Sequence, residues 1–459
     1  MRIENGYRST LGCWVGDGIP GPRPVLAVCA ALALAACVNN PMVTRMRTPH
    51  APMVNDAAYA VSGMRSWYLV PNDLTAGSDT LHVAVVPPAS VQEVRLFLDG
   101  KWQGNLREVG DSLVRDLDIS RLAPGEHEVL LSNSDEDTAF AAFPFTRTCP
   151  IYVVTSADWD HPYETPWSPG AFDAGLAHAD ELHARHPALR ITHFVGPHAF
   201  TDPTIAQTRQ DSLAAWAIHA RDVLHDEIGL HVHPFCNFVE AAGLACILDT
   251  TYEAAGAYKP GYAIPCFLYT EEEFTTLLRY ADTLFAHRGL GKPTSFRAGG
   301  WWAEAHTLAA LAGDGFLIDA SGCNYKRAFD GNTTGAMYEW YATTWGNMTD
   351  TTQPYYPSLT NVSVADSSRP GVLEAPDNGI LVDYISVTEM KTVFAENWNG
   401  KALAAPKQFS VGYHPSTLDN AHFAALDSVF THCDQFLAEQ DNGPVVYARM
   451  SELVQVWTK

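Results

Sequence analysis

From Cys149 to the end of the chain, short apolar segments alternate with helix-patterned ones, and this alternation limits the fold more than any other feature. The strand-like segments are IYVVTS, RITHFVG, EIGLHVH, TSFRAGG, FLIDAS, ILVDYI, QFSVGYH and VVYARM. Between them lie helical stretches such as AFDAGLAHADELHARH, QDSLAAWAIHARDVLHD and EEEFTTLLRYADTLFAHR. Strand–helix repetition of this length predicts an α/β barrel or a doubly wound sheet. In a barrel, chemistry gathers at the C-terminal ends of strands. Polar residues cluster at those ends here: Asp158 and Asp160, His231 and His233, Arg297, Asp319, and His414.

The stretch DEIGLHVHP places His231 and His233 two apart on a strand, so both project from one face and Val232 from the other. Two neutral imidazoles on one face suit a divalent metal if a third ligand arrives from elsewhere. The competing reading puts one histidine in a core hydrogen bond and the other at a strand end. TSADWDHP supplies two carboxylates and His161. One carboxylate can bind a metal while the other serves as a general base, although an N-cap or a turn would use the same residues. Arg297 in SFRAGGWW can hold a base carboxylate ionised, or form an ordinary salt bridge. His414 in SVGYHPSTLD can protonate a leaving group, or be structural. Trp301, Trp302, Trp340 and Trp345 are candidates for sugar stacking as much as for core packing. Trp302 and Trp345 are taken as the substrate-binding pair, and Asp319 and Ser321 as supporting residues.

Ahead of this region the pattern is β. TLHVAVVPP, VQEVRLFLDGKWQG, SLVRDLDI and GEHEVLLSN alternate in polarity, with turn signals at Asp99-Gly100 and Pro124-Gly125. Residues 63–148 are therefore expected to form a small β-sandwich, and LAPGEHEVLL resembles bacterial immunoglobulin-like modules. Residues 38–62 read as a linker. Before them, the apolar run VLAVCAALALAAC follows Arg23-Pro24. Leu34-Ala35-Ala36-Cys37 resembles a bacterial lipobox, which makes residues 1–37 a signal peptide and Cys37 the lipidated residue. An exported, lipid-anchored protein of a bacterial cell envelope is the expectation. Export leaves Cys149, Cys236, Cys246, Cys266, Cys323 and Cys433, which could form up to three disulfides, with Cys236 and Cys246 close enough to staple one loop. A formal charge of −23 argues against a nucleic-acid partner. No obligate protein partner is evident.

The order of ADWD at 157–160, DEIGLHVHP, FRAGGWW, IDASG and GYHP resembles the motif order of the polysaccharide deacetylase (NodB-homology) family of carbohydrate esterases. The resemblance spans residues 149–459. It implies a distorted (β/α) barrel that removes acyl groups, N- or O-acetyl, from a carbohydrate polymer with a metal-activated water. One divalent metal, most often zinc, would be held by Asp160, His231 and His233. Asp158 would be the base, Arg297 its tether and His414 the acid. This chain departs from the family twice. Trp159 separates aspartates that are adjacent in the family, which leaves open an exchange of roles between Asp158 and Asp160. The histidines stand at i and i+2 instead of i and i+4. These departures motivate the alternative of a catalytically silent, lipid-anchored glycan-binding protein on the same fold. A glycoside hydrolase ranks below both, because it would leave the histidines without a role.

Overall fold

The computed structural model describes residues 47–133, 137–162, 170–249, 251–252, 259–366 and 371–458. The proposed signal segment and Cys37 lie outside the described residues. Thr48–Lys459 forms one compact unit.

Nine strands come first: β1 (Ala60–Ser62), β2 (Trp67–Leu69), β3 (Thr80–Val86), β4 (Arg95–Leu98), β5 (Lys101–Asn105), β6 (Arg107–Val109), β7 (Ser112–Asp118), β8 (Gly125–Ser132) and β9 (Ala141–Thr148). They make two sheets, ordered β1-β3-β7-β6 and β2-β9-β8-β4-β5. Alternation along β3 sends Leu81, Val83 and Val85 inward, where they meet Leu96, Val129 and Leu131 of the second sheet. Asp99 and Gly100 join β4 to β5 with both residues at positive φ, the backbone of a type I′ hairpin turn.

Eight strands follow: β10 (Ile151–Trp159), β11 (Ile191–Val195), β12 (Glu227–Val232), β13 (Ser295–Ala298), β14 (Ile318–Asp319), β15 (Leu373–Glu374), β16 (Lys407–Tyr413) and β17 (Val445–Ala448). All are parallel, in the order β15-β14-β13-β12-β11-β10-β16, and β17 pairs with the first half of β10. Helices cross between them: α1 (Ala171–Arg185), α2 (Gln207–Asp222), α3 (Cys236–Ala241), α4 (Glu271–His287), α5 (Ala305–Asp314), α6 (Tyr325–Ala328), α7 (Ala336–Thr344), α8 (Val387–Asn397) and α9 (Asn420–Asp434). Past β15 the chain runs on to a parallel bridge between Leu381 and Gly412 of β16, with Val382 N–H donating to the Gly412 carbonyl at 2.8 Å. This bridge joins the two ends of the sheet. The result is the distorted (β/α) barrel expected from the strand–helix repetition, irregular where β15 contributes only two strand residues.

One expected strand is corrected. ILVDYI is a turn at 380–385 that carries the Leu381 bridge, and the strand lies earlier, at Leu373–Glu374. Its apolar residues are buried by the closure of the barrel, which gives a strand-like pattern without strand pairing along its length.

Period-2 alternation then sorts each strand. Ile151, Val153, Ala157 and Trp159 of β10 face the helices, as do Leu230 and Val232 of β12, Phe296 and Ala298 of β13, and Phe409, Val411 and Tyr413 of β16. Tyr152 and Val154 face the barrel interior. Asp158 continues that inward row on β10, Asp160 follows just past the strand's end, and Trp159 is driven into the outer layer, its ring 5.2 Å from Phe172 and 5.7 Å from Trp216. Among the described residues, no helix is long and apolar enough to cross a membrane. Trp159→Ala would empty a fully buried site in the outer layer, with an expected cost of about 3–5 kcal/mol. A drop in thermal midpoint with unchanged metal content would check that Trp159 is a packing residue and not part of the polar site.

Candidate metal centre

Asp160, His231 and His233 place one ligand atom each within 4.8 Å of the others, and all three residues are buried. His231 Nδ1 lies 2.9 Å from the Arg297 carbonyl and His233 Nδ1 lies 2.7 Å from the Tyr262 carbonyl. A carbonyl oxygen only accepts, so each Nδ1 carries a proton, and the neutral form of each ring, the form that ligates a metal, turns its Nε2 lone pair inward. Those lone pairs face Asp160, at 2.8 Å from His231 and 3.4 Å from His233. His233 Nε2 has no hydrogen-bond partner. Lone pairs converging on a buried carboxylate repel unless a cation sits among them. The donor set, one carboxylate and two imidazoles, therefore fits a divalent metal, with zinc well suited to it.

Asp160 is further fixed by Tyr262, whose hydroxyl donates to Oδ2 at 2.9 Å and whose ring stacks on His233 with centroids 4.2 Å apart. Two glycines make this packing possible. A Cβ on Gly299 would fall 2.4 Å from the His233 ring, and one on Gly261 would fall 2.2 Å from the Pro234 carbonyl. The loop that delivers Tyr262 is tied at its start by the Cys236–Cys246 disulfide and by Cys236 N–H donating to the Pro260 carbonyl. Cys149, Cys266, Cys323 and Cys433 are buried free thiols, so the described residues hold one bridge and not three.

Arg297 lies beneath the centre and is almost fully buried. Its Nη1 donates to both oxygens of Asp158, at 3.0 and 3.2 Å, and to Ser156 Oγ at 2.8 Å, while its Nε donates to the Ala320 carbonyl. Nη2 lies 3.3 Å from Asp377. Burial alone would weaken its charge, but Asp158 and Asp377 raise its pKa, so the guanidinium stays charged between two carboxylates. Asp158 and Asp160 are thus separated in environment: one is bound to Arg297, the other is surrounded by imidazoles.

His414 stands at the end of β16 with 14% of its side chain exposed. Nδ1 donates to Asp383 Oδ2 at 2.9 Å, and Nε2 is 3.6 Å from Asp160. Burial would lower its pKa, but Asp383 and Asp160 raise it to about 10. Asp319 and Ser321 do support the site. Ser321 Oγ donates to Asp319 at 2.6 Å and accepts the Ala298 N–H at 2.9 Å, which steadies the residue next to Arg297. Glu374, beside Asp319, is pushed well above the ordinary carboxyl range by burial and by that neighbour's charge.

The site lines a cavity of about 250 Å³ that also touches Trp301 and Trp302. Trp345 does not reach it. Its ring is fully buried, and its Nε1 donates to the Trp301 carbonyl at 3.0 Å, so the expectation of a stacking face at Trp345 is corrected: it is a packing and anchoring residue. Trp301, at φ 56°, occupies left-handed backbone that a bulky side chain rarely adopts, and this bond helps hold it there. Tyr262, Asp377, Asp383 and Tyr384 were not singled out from the sequence. They come from loops or from the 380–385 turn, where no period marks them.

No protein-family profile matches the chain, and no curated protein does. Solved structures are similar at low identity. A protein assigned as a polysaccharide deacetylase from Mycobacterium smegmatis is 15% identical, with 67% of this chain and 89% of that one covered and a TM-score of 0.39. A family 4 carbohydrate esterase from Streptomyces lividans, in complex with acetate, is 11% identical over 65% and 98%, with a TM-score of 0.30. The peptidoglycan deacetylase PdaC from Bacillus subtilis is 10% identical over 67% and 91%, with a TM-score of 0.29.

Tyr262→Phe removes one hydrogen bond to Asp160 and leaves the ring stack. It is expected to weaken divalent-metal affinity about 10-fold, measured by competition with a chromogenic chelator.

Proposed function

We propose that the protein is a metal-dependent hydrolase that removes acyl groups from a carbohydrate. The observation that carries this reading is the convergence of two tautomer-fixed histidines on Asp160, between an Arg297-bound Asp158 and an Asp383-bound His414. Asp160, His231 and His233 would hold one divalent cation, zinc by its donor set, which when bound would supply Lewis acidity to an acyl carbonyl and to a water. The residues divide the proton work. Asp158, oriented through both oxygens by Arg297, is the base that takes a proton from the attacking water. His414, protonated through neutral pH and oriented by Asp383, is the acid that returns one to the leaving atom. Two carboxylates with separate partners allow separate roles.

The surroundings of the reaction are proposed on sequence grounds. The substrate is a glycan, the lipid on Cys37 holds the protein to a bacterial envelope membrane after export, and the acidic chain has no nucleic-acid partner. The β module, whose first strand Ala60–Ser62 lies within the stretch expected to be a linker, is proposed to be an immunoglobulin-like spacer ahead of the catalytic domain.

Metal analysis of the purified mature protein, paired with acetate release from a panel of acetylated glycans, tests the reading. One divalent ion per chain and acetate release that falls at least 100-fold in His231→Ala are expected. Undiminished release by metal-free His231→Ala would overturn it, as would glycan binding without release at full metal loading. The pH profile gives an independent check. Asp383 holds the His414 proton above the ordinary imidazole range, so the rate should hold through neutral pH and fall on the alkaline side. Asp383→Asn removes a carboxylate that raises this pKa, and the alkaline limb of kcat should move to lower pH.

A further inference from the structure

The polar centre opens on two cavities of different chemistry, and Asp160, Tyr262, Tyr384 and His414 line both. The smaller, about 200 Å³, is completed by His161, Asp383, Ser416 and Thr417. The larger, about 250 Å³, is walled away from the centre by Trp301, Trp302, Phe329, Met337, Tyr338 and Tyr341. Four of those six residues belong to the segment of α6 and α7, inserted between β14 and β15. The segment is fastened to the turn after β13. Tyr341 donates its hydroxyl to the Gly300 carbonyl, Trp340 Nε1 donates to Glu304 at 2.8 Å, and Trp345 Nε1 donates to the Trp301 carbonyl. With its hydroxyl used in this way, Tyr341 offers the cavity ring carbon. The wall is therefore fixed and mainly aromatic carbon, interrupted by the Trp302 Nε1, which is buried without a hydrogen-bond partner.

A methyl group is about the size of a water molecule, which takes up roughly 30 Å³ in the liquid. The cavity also spans the polar centre, but at its aromatic end an acetyl methyl would touch only part of the six-residue wall and leave the rest without contacts. A sugar ring there would find few partners beyond the Trp302 Nε1 and the Tyr338 hydroxyl, and would bury its other hydroxyls against carbon, at the cost of unpaired polar groups. We infer, on the premise of the hydrolase reading above, that the aromatic cavity receives a bulky apolar acyl group, aryl in preference, and that the polar cavity receives the sugar alcohol that leaves. The scissile bond then lies between them, at the centre that both cavities share. In the reaction, the hydroxyl of water adds to the acyl carbon, the carbon–oxygen bond to the sugar breaks, and the leaving oxygen takes a proton. A carboxylic acid and an alcohol result, with no oxidant or reductant required. Trp302 contacts the acyl side in this arrangement and not a sugar face. Flat aryl groups gain over branched alkyl groups of equal size by offset or edge packing against indole and phenol rings.

The test compares kcat/KM of the metal-loaded mature protein for the 6-O-acetate and 6-O-benzoate of methyl glucoside. The benzoate is expected to be the better substrate by at least 10-fold. Met337 is half-buried in the wall, and Met337→Trp would fill the cavity. It should cut the benzoate-to-acetate ratio at least 10-fold, whereas a purely structural effect would lower both rates and leave the ratio alone. Acetate hydrolysis that equals or exceeds benzoate hydrolysis, with a ratio insensitive to Met337→Trp, would overturn the acyl assignment and leave the hydrolase reading standing. An equal rise in KM for both esters in Met337→Trp, with kcat and thermal midpoint unchanged, would also overturn it, by placing the sugar in the aromatic cavity. Hydrolysis of neither ester by protein carrying one metal per chain would remove the hydrolase reading and this inference with it.

Discussion

Two backbone carbonyls set the character of the whole site. By accepting the Nδ1 protons of His231 and His233, the carbonyls of Arg297 and Tyr262 force both Nε2 lone pairs toward Asp160. Neither carbonyl is free to move, because one sits in β13 and the other in a loop held close to α3. The electrostatic demand for a cation is thus built into the main chain.

The rest of the barrel mouth follows from how that demand is balanced. Asp160 carries the negative charge among the imidazoles, while Asp158 is neutralised by Arg297 and Arg297 in turn by Asp377. His414 gains its positive charge from Asp383. Opposite charges alternate through the mouth, so each buried ion has a partner within hydrogen-bonding or ion-pairing reach. The same low dielectric that makes these pairs strong would penalise any member left alone.

Much of the arrangement was legible because strand residues alternate between two faces. Asp158 and Asp160, His231 and His233, and the inward position of Arg297 follow from that period, and the structure brings these residues and His414 together. The i, i+2 histidines are two inward positions at the end of β12, and the separated aspartates are two inward positions at the end of β10. Trp159 between them is the outward residue of the same period. What stayed hidden came from parts of the chain without a period. Tyr262 arrives on a long loop, and Asp383 on a turn whose apolar neighbours imitate a strand. Trp345 shows a further limit: aromatic composition does not reveal which ring faces solvent. The cysteines show another, since Cys149, Cys266, Cys323 and Cys433 pack as small buried hydrophobes and their number alone could not tell pairing from packing.

Gly299 has a consequence for how such a site can change over generations. The His233 ring occupies the volume that any side chain at 299 would need. A Cβ at 299 would therefore force the His233 ring or the backbone around it to shift. Loss of the capacity to hold a metal could thus come from one substitution, and its reversal would require restoring one particular residue. A lineage that crossed that boundary would keep the barrel, the aromatic wall and the Arg297 network, and would be free to use the cavity for binding alone.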